Sequence, residues 1–293
     1  MTNQRFHGTG VAMVTPFDAK GMVDAERLTS LVEFLIAGGV EYLVVLGTTG
    51  ETATLDPEEK KYIFSHVMQV NAGRLPLVAG IGGNDTRSVV GDLQGYDLKG
   101  YDAVLSVSPY YNKPSQEGLF RHYQAIASES PLPVMMYNVP GRTGMNVSAE
   151  TTIRIARACP NIFATKEACG NMDQIMRILR DKPQGFDVIS GDDALTLPMI
   201  ALGATGVISV VANAYPRIFS NMVRNCLRGD FKSALPDHHR LLEVVDTLFA
   251  EGSPAGVKAY MQELGRCQDH VRLPVVPVSD HLRHRIIGLM AGL

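Results

Sequence analysis

The chain has 293 residues, 45% of them hydrophobic, enough apolar side chains for a sizeable core in one large or two ordinary domains. Its formal charge is −3 with both signs scattered, which excludes the basic stripe of a nucleic-acid or acidic-membrane binder. The first ten residues are polar and no apolar run approaches the ~18 residues that span a bilayer, so neither a secretory signal nor a membrane span is expected.

In chain order, short β-rich apolar runs recur at residues 11–14, 42–46, 77–81, 103–107, 134–137, 162–166, 186–189 and 206–210. Roughly 20 to 35 residues separate them, the length of a strand plus a helix. Asp24 can cap a helix whose Leu28, Leu31, Val32, Leu35 and Ile36 share one face, and Gly38-Gly39 stops it. Asp56-Pro57-Glu58-Glu59 supplies an N-cap, a proline at the first helical position and acids on the positive helix end, with Gly73 as the stop. Ser115, Ser148 and Asn171 are caps for later helices.

Eight such units with near-continuous apolar strands predict an α/β fold, a closed (β/α)8 TIM barrel over residues 1–227. An open doubly wound sheet is the alternative, but no G-x-G-x-x-G opens the first helix. Over residues 228–293 the strand signal stops. Residues 231–249 and 255–264 read as helices, with Pro236 and residues 252–254 as breaks, giving a C-terminal helical appendage.

In a barrel the functional groups follow the strands, and the unusual residues fall there repeatedly. These are Gly47-Thr48-Thr49-Gly50-Glu51, Ser108-Pro109-Tyr110-Tyr111-Asn112, the stretch from Tyr137 to Gly144, Lys166-Glu167, and Ser190-Gly191-Asp192-Asp193. Each has a structural reading. GTTGE alone is most often a glycine-rich turn; as a site it is a nest of N–H groups and two hydroxyls for a small carboxylate. Tyr110, Tyr111 and Tyr137 can be packing residues, and Arg142 a surface ion pair. Asp192-Asp193 reads better as a helix cap than as a metal site. His281 and His284, at i, i+3 in a polar segment, read as a solvated face.

Lys166 resists the structural reading best. A salt bridge with Glu167 or Asp192 would explain it. Held instead in an apolar barrel mouth, its amine falls from ~10.4 towards the ~7–8 useful for attack on a carbonyl carbon, giving a Schiff base. The four cysteines (Cys159, Cys169, Cys226, Cys267) form no C-x-x-C pair and read as reduced thiols of a cytoplasmic protein.

Taken together and in this order, GTTGE, SPYYNKP, YNVPGRTG, the KEA around Lys166, SGDD and GATGVISV resemble the dihydrodipicolinate synthase family. That family is one branch of the pyruvate-dependent class I aldolases related to N-acetylneuraminate lyase, and the resemblance covers essentially the whole chain. Arg142 is the discriminating residue, since the sialic acid lyases typically lack it. The resemblance implies condensation of pyruvate with aspartate semialdehyde, without metal or organic cofactor, in a homotetramer built as a dimer of tight dimers. By the same resemblance Lys166 forms the imine, Thr48 and Thr49 hold the pyruvate carboxylate, and Tyr137 is the general acid/base. Thr48 links Tyr137 to a Tyr111 reaching in from a neighbouring subunit. Arg142 binds the semialdehyde carboxylate, and Gly191 and Ile208 line the pocket. A lyase of the same superfamily acting on a 2-keto-3-deoxy sugar acid, and a catalytically silent binding barrel, are the competing readings.

Lysine-inhibited members of that family bind their effector at the tight-dimer interface. The matching positions here are Thr52, Ala53, Pro57, Lys60, Asn84, Ser88 and Tyr110. Ser88 stands where an acid is usual and Lys60 adds a cation, so insensitivity to lysine is expected.

Overall fold

The computed structural model describes residues 3–292. Its eight strands are β1 (Gly8–Ala12), β2 (Tyr42–Val45), β3 (Leu77–Gly80), β4 (Ala103–Val107), β5 (Val134–Asn138), β6 (Ile162–Glu167), β7 (Asp187–Ser190) and β8 (Gly206–Ser209). They pair in parallel in that order and close, β8 returning to β1 with Gly10 opposite Ile208. This is the expected TIM barrel. The helices on its outside are α1 (Ala25–Ala37), α2 (Pro57–Asn71), α3 (Thr86–Gly95), α4 (Gln116–Glu129) and a single turn α5 (Pro140–Thr143). They continue with α6 (Ala149–Ala158), α7 (Met172–Asp181), α8 (Thr196–Ala201) and α9 (Pro216–Leu227). The C-terminal helices are α10 (Phe231–Phe249), α11 (Ala255–Glu263) and α12 (Asp280–Met290). Among the described residues no helix is long and apolar enough to cross a membrane.

The caps read from the sequence form. Asp24 accepts from the Arg27 N–H, Ser115 from Gly118, Ser148 from Thr151 and Asn171 from Gln174. Asp56 and Glu59 make a reciprocal capping box on α2. Each such cap is worth about 1 kcal/mol.

Three features differ from expectation. The first strand lies at Gly8–Ala12 rather than 11–14. Its two glycines disguise it, yet Gly10 is required: a Cβ there would meet the Tyr42 ring at 2.1 Å. Second, Pro236 does not break α10, which runs through it. The proline sits in the second turn and forfeits one backbone bond, while Leu241, Val244 and Leu248 bury the helix further along. Third, α12 was not anticipated. Ser279 caps it by accepting from the Leu282 N–H, and Leu282 and Ile286 are buried, leaving His281 and His284 exposed.

The core has two layers. An outer layer between strands and helices continues into Ala234, Leu241, Val257 and Ile286 of the C-terminal helices. An inner layer fills the barrel with Tyr42, Val44, Val78, Leu105, Met135, Ala164, Ile189 and Ile208. Phe6 closes its lower end, edge-on to Tyr42 at 5.6 Å and 5.2 Å from Phe163.

The β5–β6 ladder carries an irregularity that matters for the site. Ile162 pairs with Val134, but Ala164 pairs with the next residue, Met135, leaving Phe163 as an extra residue. Phe163 and Ala164 therefore both face inward. A bulge of this kind re-aims the side chains beyond it. Lys166 consequently faces into the barrel and Glu167 out of it.

Candidate active site

Lys166 and Tyr137 are register partners at the upper ends of β6 and β5. Both are buried, and the Lys166 Nζ lies 4.2 Å from the centre of the Tyr137 ring. Burial pulls the Lys166 amine down to about 7; the Asp193 carboxylate opposes that and the Arg142 charge adds to it. The ion pair with Glu167 that would give Lys166 a structural explanation does not form. Glu167 points to the other face of β6, where its two oxygens accept from Asn138 Nδ2 at 2.9 and 3.1 Å. Lys166 is thus a buried amine whose charged form is disfavoured, with a substantial neutral fraction near pH 7.

Gly191 makes room for it. A Cβ at Gly191 would stand 2.7 Å from the Ala168 Cβ and 3.0 Å from the Lys166 Cε, so only glycine lets the lysine stem lie across this strand end. Ile208, 1% exposed, belongs to the apolar layer filling the barrel. Burial pushes the Tyr137 phenol up to about 12, while the Arg142 charge and the neighbouring Thr48 side chain draw it down. The phenol keeps its proton at neutral pH.

GTTGE folds as one tight turn, Thr48–Gly50, after β2. Leu46 takes a left-handed conformation (φ 58°) to enter it, and its carbonyl lies where a Cβ on Gly80 would be, 2.2 Å away. Thr52 Oγ1 donates to that Leu46 carbonyl at 2.7 Å, and Thr15 Oγ1 to the Gly50 carbonyl at 2.7 Å. Among the described residues neither the Thr48 nor the Thr49 N–H finds a backbone acceptor. Thr49 is buried and Thr48 sits at the rim. One turn thus presents two N–H groups without backbone acceptors beside two hydroxyls.

The turn is anchored from far away. Glu51, also left-handed (φ 55°), accepts from the Lys258 Nζ of α11 at 2.6 Å and from the Arg272 N–H at 3.0 Å. Lys258 and Glu51 are almost fully buried, and Arg272 continues to Glu59 and the carbonyls of Gly21 and Thr54. The C-terminal segment therefore holds the turn that carries Thr48 and Thr49.

Arg142, on α5, is exposed and lines a cavity of about 380 Å³ with Thr48, Tyr137, Val139, Thr143 and Tyr110. Tyr111 does not join them within one chain. It is 89% exposed with φ 70°, its side chain in solvent.

Two polar residues were missed or misread. Asp193 is buried, and its Oδ2 accepts from the Val210 and Val211 N–H groups at 3.1 and 3.2 Å. Burial pushes its carboxyl up to about 6. Asp192 is not the expected helix cap either: its Oδ1 accepts from Ala194 and Leu195 in the turn ahead of α8, whose N-cap, Leu195, makes no side-chain cap bond. The second is Asn138, whose amide joins β5 to Glu167. Both fall in stretches that the sequence singles out, but their roles stay hidden because they depend on contacts between strands.

The chain matches the dihydrodipicolinate synthetase family over residues 5–290. A 4-hydroxy-tetrahydrodipicolinate synthase of Parabacteroides distasonis is 53% identical over 277 residues, 94% of this chain and 93% of the relative. One from Bacillus subtilis is 44% identical over 288 residues, 98% of this chain and 99% of the relative. The crystal structure of dihydrodipicolinate synthase from Aquifex aeolicus superposes with a TM-score of 0.95 at 40% identity, covering 98% of both chains. That from Cyanidioschyzon merolae with lysine bound gives 0.94 at 38% identity, again over 98% of both. By sequence and by fold, the chain belongs to the dihydrodipicolinate synthetase family.

Proposed function

We propose that this chain condenses pyruvate with L-aspartate 4-semialdehyde to 4-hydroxy-tetrahydrodipicolinate, with Lys166 as the Schiff-base nucleophile. One observation carries the reading. Lys166 is a buried amine drawn down to about 7 at the mouth of a barrel whose relatives are named for this synthase.

The chemistry follows from the groups at hand. The neutral amine adds to the pyruvate ketone, water leaves, and an imine links Lys166 to the substrate. The imine withdraws electrons from the adjacent methyl group, which loses a proton to give an enamine. The enamine carbon attacks the aldehyde carbon of the second substrate, whose oxygen takes a proton to become the hydroxyl. The amino group of that substrate then closes the ring onto the imine carbon, and Lys166 leaves as the free amine.

Tyr137, protonated at neutral pH and beside Lys166, is suited to carry protons in imine formation and release. The N–H groups and hydroxyls of Thr48 and Thr49 are suited to the pyruvate carboxylate, and Arg142 at the cavity rim to the carboxylate of the semialdehyde. Gly191, which clears space for the Lys166 side chain, and Ile208 of the barrel interior are suited to line the pocket beneath.

Tyr111 has no role within its own chain. We assign it to the site of a second copy, through Thr48 and Tyr137, in a tetramer built from two tight dimers. Free thiols at Cys159, Cys169, Cys226 and Cys267 suit a cytoplasmic setting.

The experiment is a competition of substrates. Pyruvate with aspartate semialdehyde should yield the cyclic product by mass spectrometry, and 2-keto-3-deoxy sugar acids should not be cleaved to pyruvate. Cleavage of the sugar acids with no cyclic product would replace this reading by a sugar-acid lyase.

A further inference from the structure

We propose that Asn138 is a positioning residue for this site, holding Tyr137, Lys166 and the Arg142 loop in one geometry through the Glu167 carboxylate. The inference rests on the site reading above. Asn138 follows Tyr137 on β5, Glu167 follows Lys166 on β6, and the two are register partners at the last rung of the ladder. Both are 0% exposed. They lie on the outer face of the same strand ends whose inner face carries Tyr137 and Lys166.

The amide satisfies three demands at once. Its Nδ2 donates to Glu167 Oε1 and Oε2 at 2.9 and 3.1 Å and to Asn146 Oδ1 at 2.9 Å. Its Oδ1 accepts from the Val147 N–H at 3.0 Å. Residues 139–147, which carry Arg142, thus leave β5 and return to the side chain of Asn138. Glu167 Oε1 takes a further N–H from Cys169 at 3.0 Å, fixing the chain beyond Lys166. Asn146 Nδ2 reaches Gln174 of α7 at 2.7 Å and closes the network.

Only a side chain with both a donor and an acceptor meets this arrangement. Aspartate has the same shape but no N–H, and it would set a second carboxylate against Glu167. Because Asn138 and Glu167 are bonded directly to the residues carrying Tyr137 and Lys166, loosening their contact moves the reacting groups. Displacement on the order of 1 Å is enough to cost about two decades in rate.

The test uses the full chain carrying Asn138→Asp, alone and with Glu167→Gln, which returns a donor to the pair. Three readouts are taken: the rate of borohydride-trapped pyruvate adduct, kcat and the KM of each substrate, and the thermal melt. A role in stability alone would lower the melting temperature and leave the kinetics of folded protein unchanged. Asn138→Asp is expected to slow adduct formation by about one to two decades and to raise the semialdehyde KM more than the pyruvate KM. Glu167→Gln in that background should recover at least about tenfold. Parent kinetics in folded Asn138→Asp, or no recovery in the double variant, would overturn the proposal. If Asn138→Asp does not fold, the double variant decides alone, and its failure to fold or react overturns the proposal. A parent protein that forms its adduct away from Lys166 refutes the site reading instead.

Discussion

Lys166 and Tyr137 meet across the β5–β6 ladder, the lysine nitrogen 4.2 Å from the centre of the tyrosine ring. Burial there lowers the amine to about 7 and raises the phenol to about 12, so near neutrality the lysine is a base and the tyrosine an acid. Attack on pyruvate needs the neutral amine, whose fraction drops tenfold for each pH unit below its pKa. The initial rate of adduct formation should therefore level off about one unit above 7 and fall with unit slope below it. A rate still climbing steeply towards the ordinary lysine range, ~10.4, would mean that the reacting amine is not desolvated.

Arg142 stands at the exposed rim of the cavity that Thr48 also lines. Arg142→Ala should raise the semialdehyde KM by about one decade, the lower range for a charge-assisted bond because water screens the rim. The pyruvate KM should move far less. Equal changes in both, measured with each substrate varied in turn, would remove Arg142 as the semialdehyde clamp. Its positive charge also helps depress the Lys166 amine, so the variant's pH profile should shift upward.

At 89% exposure, the Tyr111 side chain has nothing to act on in its own chain. Tyr111→Phe should lower kcat without lowering the melting temperature. Inactive Lys166→Ala and impaired Tyr111→Phe subunits, mixed and allowed to exchange, should regain activity, because a hybrid dimer contains one site with both residues. No recovery after demonstrated exchange would show that each site is self-contained.

Of the seven positions expected to match the effector pocket of lysine-inhibited relatives, Thr52, Ala53, Lys60 and Tyr110 line the same cavity as Thr48, Tyr137 and Arg142. Ser88, in the acid's place, turns its hydroxyl to Asp85 Oδ2 at 2.5 Å. The Asp85 carboxylate, held below its usual range by that hydroxyl and by the Arg87 and Ser88 N–H groups, is committed to capping α3. Lys60 contributes a cation where an effector would bring another, and like charges 4 Å apart repel by ~4 kcal/mol at an effective dielectric of 20. Activity should be unchanged by millimolar L-lysine. Half-inhibition below about 1 mM, a binding energy of ~4 kcal/mol, would show that this pocket still takes lysine.

The sequence made the barrel legible because its strands are apolar runs at regular spacing and its helices begin on Asp, Ser and Asn caps, as at Asp24, Asp56 and Ser148. It also pointed to Lys166, since a charged residue at the end of a buried strand is anomalous in any fold. What stayed hidden is what depends on contacts between distant segments. Gly8 and Gly10 concealed β1 because what they make room for, the Glu41 and Tyr42 side chains, lies in a distant segment. The extra residue Phe163, which sets the direction in which Lys166 points, leaves no local trace. The anchor of the GTTGE turn, Lys258, is 207 residues from Glu51. Pro236 misled because a proline in the second turn of a long, well-buried helix costs one bond, too little to end it.

The most direct measurement is borohydride reduction in the presence of pyruvate, followed by peptide mapping of the adduct. Reduction should fix one pyruvate-derived group per chain on the peptide containing Lys166, and Lys166→Ala should abolish it. An adduct on any other lysine, such as Lys60 at the cavity wall or the buried Lys258, would contradict a Schiff base at Lys166 and the reaction derived from it.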